Sequence, residues 1–291
     1  MSVKIEVLAP GPSATVQDLG RPGFASLGVG RSGAADRRSL RLANRLVGNP
    51  EENAAIEVTF GGLAVRFSEP ALVAFTGAAC GIRAGGAAAG MFAPIRVRAG
   101  EEVRLSVPES GLRTYLAVRG GVDVAPVLGA RATDTLAKLG PPALSAGMTL
   151  PVGDRVAAYP VVDLAPQAAF PEELTLRVLA GPRLDWFAPG TLEALTSAEY
   201  TVTTDLDRVG IRLAGPALRR AREGELPPEA CVPGAVQVPP SGLPILFLAD
   251  HPVTGGYPVV AVVDDHGIDL AAQARPGVRV RFALKSVDRP C

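Results

Sequence analysis

The sequence is 291 residues long, 47% hydrophobic and 20% charged, which supplies a core large enough for one big or two medium domains and excludes a disordered chain. Its 29 Lys and Arg balance 29 Asp and Glu, so no net field draws it to nucleic acid or an anionic membrane, and neither partner is expected. Cys80, Cys231 and Cys291 form no C-x-x-C pair, which argues against a disulfide framework or a metal cluster and for a reducing, cytoplasmic setting.

In chain order, residues 3–8 alternate apolar and charged side chains as a strand does, without the apolar core of a signal peptide. Pro10-Gly11-Pro12 ends it. Residues 15–23 then crowd Gln17, Asp18 and Arg21 between glycine and proline turns. These three side chains either converge on a ligand or tie their own turn through a local ion pair. From Asp36 to Val47 apolar residues recur at helical spacing, with Asp36 as N-cap and Gly48 as the stop. Asn44 and Asn49 lie at the end of this helix.

Residues 55–60, 63–67, 71–76, 95–97, 103–107 and 113–118 predict short strands, the ordinary length in antiparallel barrels and sandwiches. Glu57 is an acid inside the first of them, either a solvent-facing position or a companion of Asn44 and Asn49. Arg113 and Tyr115 alternate with apolar neighbours and are expected to project from one face into shared space. After Gly120-Gly121, residues 127–134 form a small-residue loop in which Arg131 is a candidate anion contact.

Residues 164–171 read as a linker, giving an N-terminal domain over 1–165 with one helix and a C-terminal one over 172–291. Beyond it come a strand at 174–179, a helical stretch at 184–195 and a strand at 201–204. Asp205-Leu206-Asp207-Arg208-Val209-Gly210 then echoes Asp18-Leu19-Gly20-Arg21-Pro22-Gly23. Residues 235–238, 245–249 and 259–263 are further strands. Between the last two, Asp250, His251, Thr254 and Tyr257 surround Gly255-Gly256, where bare backbone can approach a ligand. A plain hairpin turn is the alternative.

With only His251 and His266, a histidine triad or a multi-histidine metal site is not expected, and no phosphate loop, dinucleotide fingerprint or nucleophile elbow is present. What remains is carboxylate, Arg, amide and Tyr chemistry, able to polarise a carbonyl or bind a carboxylate, with an Asp as general base. The loops around Asp18 and Asp250 are expected to share one cleft.

The motifs Thr15-Val16-Gln17-Asp18-Leu19-Gly20-Arg21, Ala43-Asn44-Arg45-Leu46-Val47-Gly48-Asn49, Arg113-Thr114-Tyr115-Leu116-Ala117-Val118-Arg119-Gly120-Gly121, Val232-Pro233-Gly234-Ala235-Val236-Gln237 and Thr254-Gly255-Gly256-Tyr257-Pro258 together resemble the allophanate hydrolase subunit 2 family, also called the biotin-dependent carboxyltransferase family. The resemblance covers nearly the whole chain. It implies a mainly β fold of two cyclophilin-like β-barrel subdomains with few short helices, completed by a subunit-1 type homologue in a hetero-oligomer, with a lactam-utilisation subunit as a further partner. The activity it implies is that of a subunit of an ATP-dependent 5-oxoprolinase, a hydrolase opening 5-oxoproline to glutamate, with ATP on this chain or shared with the partner. The alternatives are a carboxyltransferase subunit of a urea or amide carboxylase, in which case biotin enters, and a non-catalytic regulator that binds a kinase inhibitor. The residues it picks out are Asp18, Asp250 and Tyr257 for catalysis, with Gln17, Arg21, Asn44, Glu57, Arg113, Tyr115, Arg131, Gln237, Thr254, Gly255 and Gly256 for substrate. Small Ala130 and Ala132 stand where relatives often carry hydroxyls.

Overall fold

Alternating apolar patterns become strands almost throughout, and among the described residues helix is confined to three short α-helices and two single helical turns. The computed structural model describes residues 3–159, 161–224 and 226–285. Grouped by contacts, Met1–Pro22 and Arg31–Phe170 make one unit, and Gly23–Gly30 with Pro171–Cys291 the other. The sequence kept residues 23–30 in the N-terminal domain; the chain gives them to the second unit, where Gly30 lies against the backbone of His251. Residues 286–291, including Cys291, lie outside the described residues.

The first unit contains β1 (Lys4–Pro10), β2 (Ser13–Gln17), α1 (Arg37–Leu46), β3 (Ala55–Thr59), β4 (Leu63–Phe67), β5 (Ala71–Gly77), β6 (Ile82–Ala84), β7 (Ala87–Ala89), β8 (Ile95–Val97), β9 (Glu102–Leu105), β10 (Arg113–Val118) and β11 (Thr149–Pro151). They form a six-stranded sheet in the order β11-β1-β4-β9-β6-β7 and a five-stranded sheet in the order β2-β3-β10-β5-β8. Ile5, Val7, Val65 and Phe67 from the first sheet and Ile56, Val58, Phe75 and Leu116 from the second fill one core. Each such side chain contributes about 1.5–3 kcal/mol by leaving water.

The other face of the five-stranded sheet is covered too. Leu40, Ala43 and Leu46 of α1 pack on Ala55, Ala74, Tyr115 and Ala117. That is why every residue of β10 is buried, although its sequence alternates. Asp36 caps α1 by accepting a 2.9 Å bond from the Ser39 N–H, as its position predicts. Gly48, at φ +66°, stops it.

The second unit contains β12 (Glu173–Ala180), α2 (Thr191–Ser197), β13 (Glu199–Leu206), β14 (Gly210–Ala214), β15 (Glu229–Ala230), β16 (Ala235–Gln237), β17 (Ile245–Phe247), β18 (Thr254–Gly255), β19 (Val259–Val263), α3 (Asp265–Ala271) and β20 (Arg279–Leu284). Seven of its strands close a barrel in the order β12-β19-β16-β17-β14-β13-β20, and the parallel pair β12 and β20 completes the ring. The helical stretch expected at 184–195 breaks into a single turn at Leu184–Trp186 and α2, because Pro189-Gly190 interrupts it. Both α3 and β20 went unread in the sequence, although Asp264 caps α3 and Val280 and Phe282 alternate inward along β20.

No helix among the described residues is long and apolar enough to cross a membrane.

Candidate functional site

In the first unit, two loops that look independent in the sequence are bonded into one structure. The Asp18 carboxylate accepts the Gly20 N–H at 2.7 Å and the Arg131 N–H at 2.6 Å, so it holds the 127–134 loop from across the chain. Arg21 does not pair with Asp18. Its guanidinium, 1% exposed, donates to the Ala132 and Val127 carbonyls and lies 3.7 Å from Asp134. Neither the local ion pair nor an open Arg21 survives: the side chain is a strut between the loops. Gln17, fully buried, likewise donates to Thr15 Oγ1 at 3.0 Å and the Thr133 carbonyl at 2.9 Å.

Glu57, Arg113 and Tyr115 meet on the face of the sheet that α1 covers. The Tyr115 hydroxyl donates to Glu57 at 2.8 Å and accepts the Asp36 N–H at 2.8 Å; Glu57 also accepts the Ala35 N–H at 3.0 Å. Arg113 Nε lies 3.5 Å from Glu57. Arg113 and Tyr115 do project into shared space, but that space is filled. Glu57 is 2% exposed, so the solvent-facing reading fails because α1 lies over it. Burial, then the Glu57 and Asp36 charges, push the Tyr115 hydroxyl well above its ordinary pKa. These three residues anchor the start of α1.

Asn44 and Asn49 join the end of α1 to the turn after β10. Asn44 donates to the Asn53 carbonyl at 2.7 Å, and Asn49 donates to Asn44 at 3.0 Å and the Val118 carbonyl at 2.8 Å. The Gly120 N–H in turn donates to Asn49 Oδ1 at 2.8 Å. Gly120 is fixed by geometry: it has φ +98°, and a Cβ there would sit 2.0 Å from the Gly153 carbonyl oxygen.

This turn is one wall of a cleft of about 260 Å³. Gly121, Asn53 and Gly153 continue the wall, and Glu52, Asp123, Arg131, Asp154 and Arg155 carry its charge. Arg131 reaches Asp123 at 2.5 Å, and Arg155 pairs with Glu52. Of this lining the sequence reading picked out only Arg131, whose backbone Asp18 holds. Nothing in the spacing of residues 52–54 or 153–155 announces a cleft.

In the second unit Arg208 grips Asp250 through two bonds, Nε to Oδ2 at 3.0 Å and Nη2 to Oδ1 at 3.1 Å. Asp250 is 2% exposed, and both of its carboxylate oxygens are engaged by the guanidinium. The echo of the Asp-Leu-x-Arg run around Arg208 was the signal that could have found this pair. His251 stacks on Phe247 with ring centres 6.0 Å apart.

Beyond them β15 pairs with β18, setting Glu229 opposite Gly255 and Ala230 opposite Thr254. Gln237 donates to the Tyr257 carbonyl at 3.1 Å and to Cys231 Sγ at 3.5 Å. A Cβ at Gly255 would lie 2.8 Å from the Gln237 amide nitrogen and 3.1 Å from Cys231 Sγ. Gly255 thus makes room for protein side chains on its Cβ side and is itself half-buried; Gly256 lies beside the Leu226 carbonyl. Thr254 is exposed and Tyr257 half-buried. Arg183 forks onto Glu229 and holds that carboxyl below its usual range, while burial and the Glu229 charge raise the Cys231 thiol.

Comparison with known proteins places this geometry. The family model described as carboxyltransferase domain, subdomain A and B, matches residues 27–284. The chain is 35% identical to the C-type subunit of the Escherichia coli 5-oxoprolinase over 98% of its own length and 92% of that protein. The crystal structure of TTHA0988 superposes with a TM-score of 0.87 at 37% identity, covering 97% of this chain and 56% of that one. The urea amidolyase of K. lactis gives 0.88 at 30% identity, covering 97% of this chain and 19% of that one. The chain thus spans about half of the first solved structure and a fifth of the second. On a match of this extent, the protein belongs to the carboxyltransferase subdomain A and B family.

Proposed function

We propose that this chain is the C-type subunit of a cytoplasmic, ATP-dependent 5-oxoprolinase that opens the lactam of 5-oxoproline to glutamate. The observation that carries the reading is the 35% identity to the E. coli protein along 92% of that protein's length. In the first unit we assign Arg131 to a ligand carboxylate, and in the second unit Thr254 and Tyr257 to hydrogen bonds with a polar ligand. Asp18, Asp250, Gln17, Arg21, Asn44, Glu57, Arg113 and Tyr115 are assigned to holding these groups, since each is bonded to protein partners.

The charged lining of the cleft does not fit a triphosphate. Three carboxylates, Glu52, Asp123 and Asp154, face two guanidiniums, Arg131 and Arg155. In this reading ATP is bound by the partner, a subunit-1 type homologue, with a lactam-utilisation protein as third component.

A second reading, carboxyl transfer, is favoured by the 0.88 TM-score to the K. lactis urea amidolyase. Biotin would then arrive from a carrier outside these 291 residues, which contain no Met-Lys-Met.

The test is ATP turnover by the co-purified complex. Stimulation by 5-oxoproline is expected; a stable complex whose ATP turnover ignores 5-oxoproline would overturn the reading.

A further inference from the structure

We propose that the outer face of α1 is a docking surface for a carboxylate-bearing face of the subunit-1 type homologue. That the occupant is acidic follows from the helix; that it is this partner rests on the function proposed above.

The two faces of α1 differ in chemistry. Leu40, Ala43 and Leu46 turn inward onto the five-stranded sheet. Arg37, Arg38, Arg41 and Arg45 take the other side, with Arg38 and Arg45 exposed and Arg37 and Arg41 half-buried. Four of the ten residues of the helix are arginine, and none is acidic.

An ordinary solvated helix face mixes signs, so that acids three or four residues from bases support it. Here Arg37, Arg41 and Arg45 follow one another at four-residue spacing, which sets like charges one turn apart. Arg37 and Arg38 also fill the first turn, where the helix dipole disfavours cations, and that turn holds no acid beyond the buried Asp36 cap. Acids are not scarce in a chain with 29 charges of each sign. Basic charge is gathered on this face against the helix's own stability, and local conflicts of this kind concentrate at functional sites.

The charge is only partly neutralised within the chain. Glu51 serves two of the arginines, 3.6 Å from Arg41 Nε and 2.7 Å from Arg45 Nη1, and all three side chains are at least 41% exposed. Ion pairs this exposed exchange readily. Arg38 is exposed and has no ion pair among the described residues.

Shape and residue type select the occupant. The face is a convex ridge about 15 Å long, whereas small ligands sit in concavities. A bilayer surface would need apolar side chains among the charges, and of the helix's apolar residues only Leu42, half-buried, borders them. Nucleic acid would meet Glu51 and Glu52 just past the end of the helix, on a chain with no net positive charge. A protein surface with carboxylates about 6 Å apart, one helical turn, matches the row of Arg37, Arg41 and Arg45, whose planar forks take carboxylates two bonds at a time.

Arg38→Glu separates docking from folding. The new acid lies in the first turn and three residues before Arg41, so the melting temperature is expected to hold or rise while binding weakens. Titration calorimetry of the full chain with the purified homologue reads the binding. At about 50 mM salt Arg38→Glu is expected to weaken it about tenfold, Arg38→Lys less, and Arg38→Glu combined with Arg45→Glu more. At about 300 mM salt the gap between wild type and Arg38→Glu should narrow. Arg83→Glu, at an exposed position of β6 in the other sheet, is expected to bind as wild type does. Equal affinity in wild type and Arg38→Glu, or an equal loss in Arg83→Glu, would overturn the docking surface. So would loss of binding to duplex DNA or to phosphatidylserine vesicles in Arg38→Glu with binding to the homologue unchanged. A complex indifferent to Arg38→Glu leaves the 5-oxoproline-stimulated ATPase untouched. A complex weakened by it, whose ATP turnover ignores 5-oxoproline, keeps the surface and loses the function. The absence of any complex removes both.

Discussion

Arg208 and Asp250 are joined twice, through a main-chain bond of 2.9 Å from the Asp250 N–H to the Arg208 carbonyl and through the bidentate ion pair of their side chains. Together they extend the β14–β17 ladder past its last strand residues, fixing the start of the 250–257 loop. Breaking a buried pair leaves an uncompensated charge, so Asp250→Asn is expected to cost about 3–5 kcal/mol. Arg208→Lys, which keeps the charge and loses the fork, should cost less. Urea unfolding midpoints measure both; a loss below about 1 kcal/mol in Asp250→Asn would return Asp250 to the role of base.

Tyr115→Phe should destabilise the first unit by about 1–3 kcal/mol, because the buried Asp36 N–H and Glu57 carboxylate both lose a partner. Hydrogen exchange at the start of α1 should quicken with it. Unchanged exchange at residues 36–39 would mean that the hydroxyl is not what holds the helix.

Tyr200 presents the reverse case. It is fully buried on Phe282, 5.9 Å between ring centres, and its hydroxyl has no hydrogen-bond partner among the described residues. Tyr200→Phe should therefore be neutral or stabilising by up to about 1 kcal/mol at pH 7. Burial raises its pKa from 10.0 to about 12. A raised pKa means that the fold keeps the proton which the unfolded chain releases. Stability from this source is whole below pH 10 and declines up to about pH 12, by at most about 3 kcal/mol. Comparing the alkaline limbs of wild type and Tyr200→Phe isolates it: identical limbs would refute the assignment.

Asp18→Asn keeps one acceptor oxygen and loses the other, so the Gly20 and Arg131 amides can no longer both be held at full strength. Amide exchange at residues 127–134 should speed up, at a cost of about 1–2 kcal/mol. If only Gly20 responds, the carboxylate is a local turn former and does not govern the Arg131 loop.

Strand periodicity made most of the fold legible, since Ile56, Val58, Leu116 and Val118 carry the core by alternation alone. The same alternation misled at Glu57. Period two says which face a residue takes, and only the packing of α1 decides whether that face is wet. Asp36 and Gly48 were readable because caps act locally. The Asp18–Arg131 bond was not, because it joins residues 113 apart in sequence. Gly255 was identified as a special position, but the reason was hidden: the Gln237 side chain that needs the space comes from another strand. The cleft at Gly120 was invisible for a similar reason, since its charges come from four separate stretches of chain.

The contribution of Gly23–Gly30 to the second unit has a consequence for synthesis on the ribosome. These eight residues emerge long before Pro171, where the rest of that unit begins, and its barrel closes only when β20 pairs with β12 near the end of the chain. The first unit can condense around its own two sheets while the 23–30 segment waits as a loop between Pro22 and Arg31. Its docking is then a late event, delayed by translation itself, and a nascent chain halted before residue 279 should leave this segment open to protease while α1 is already protected.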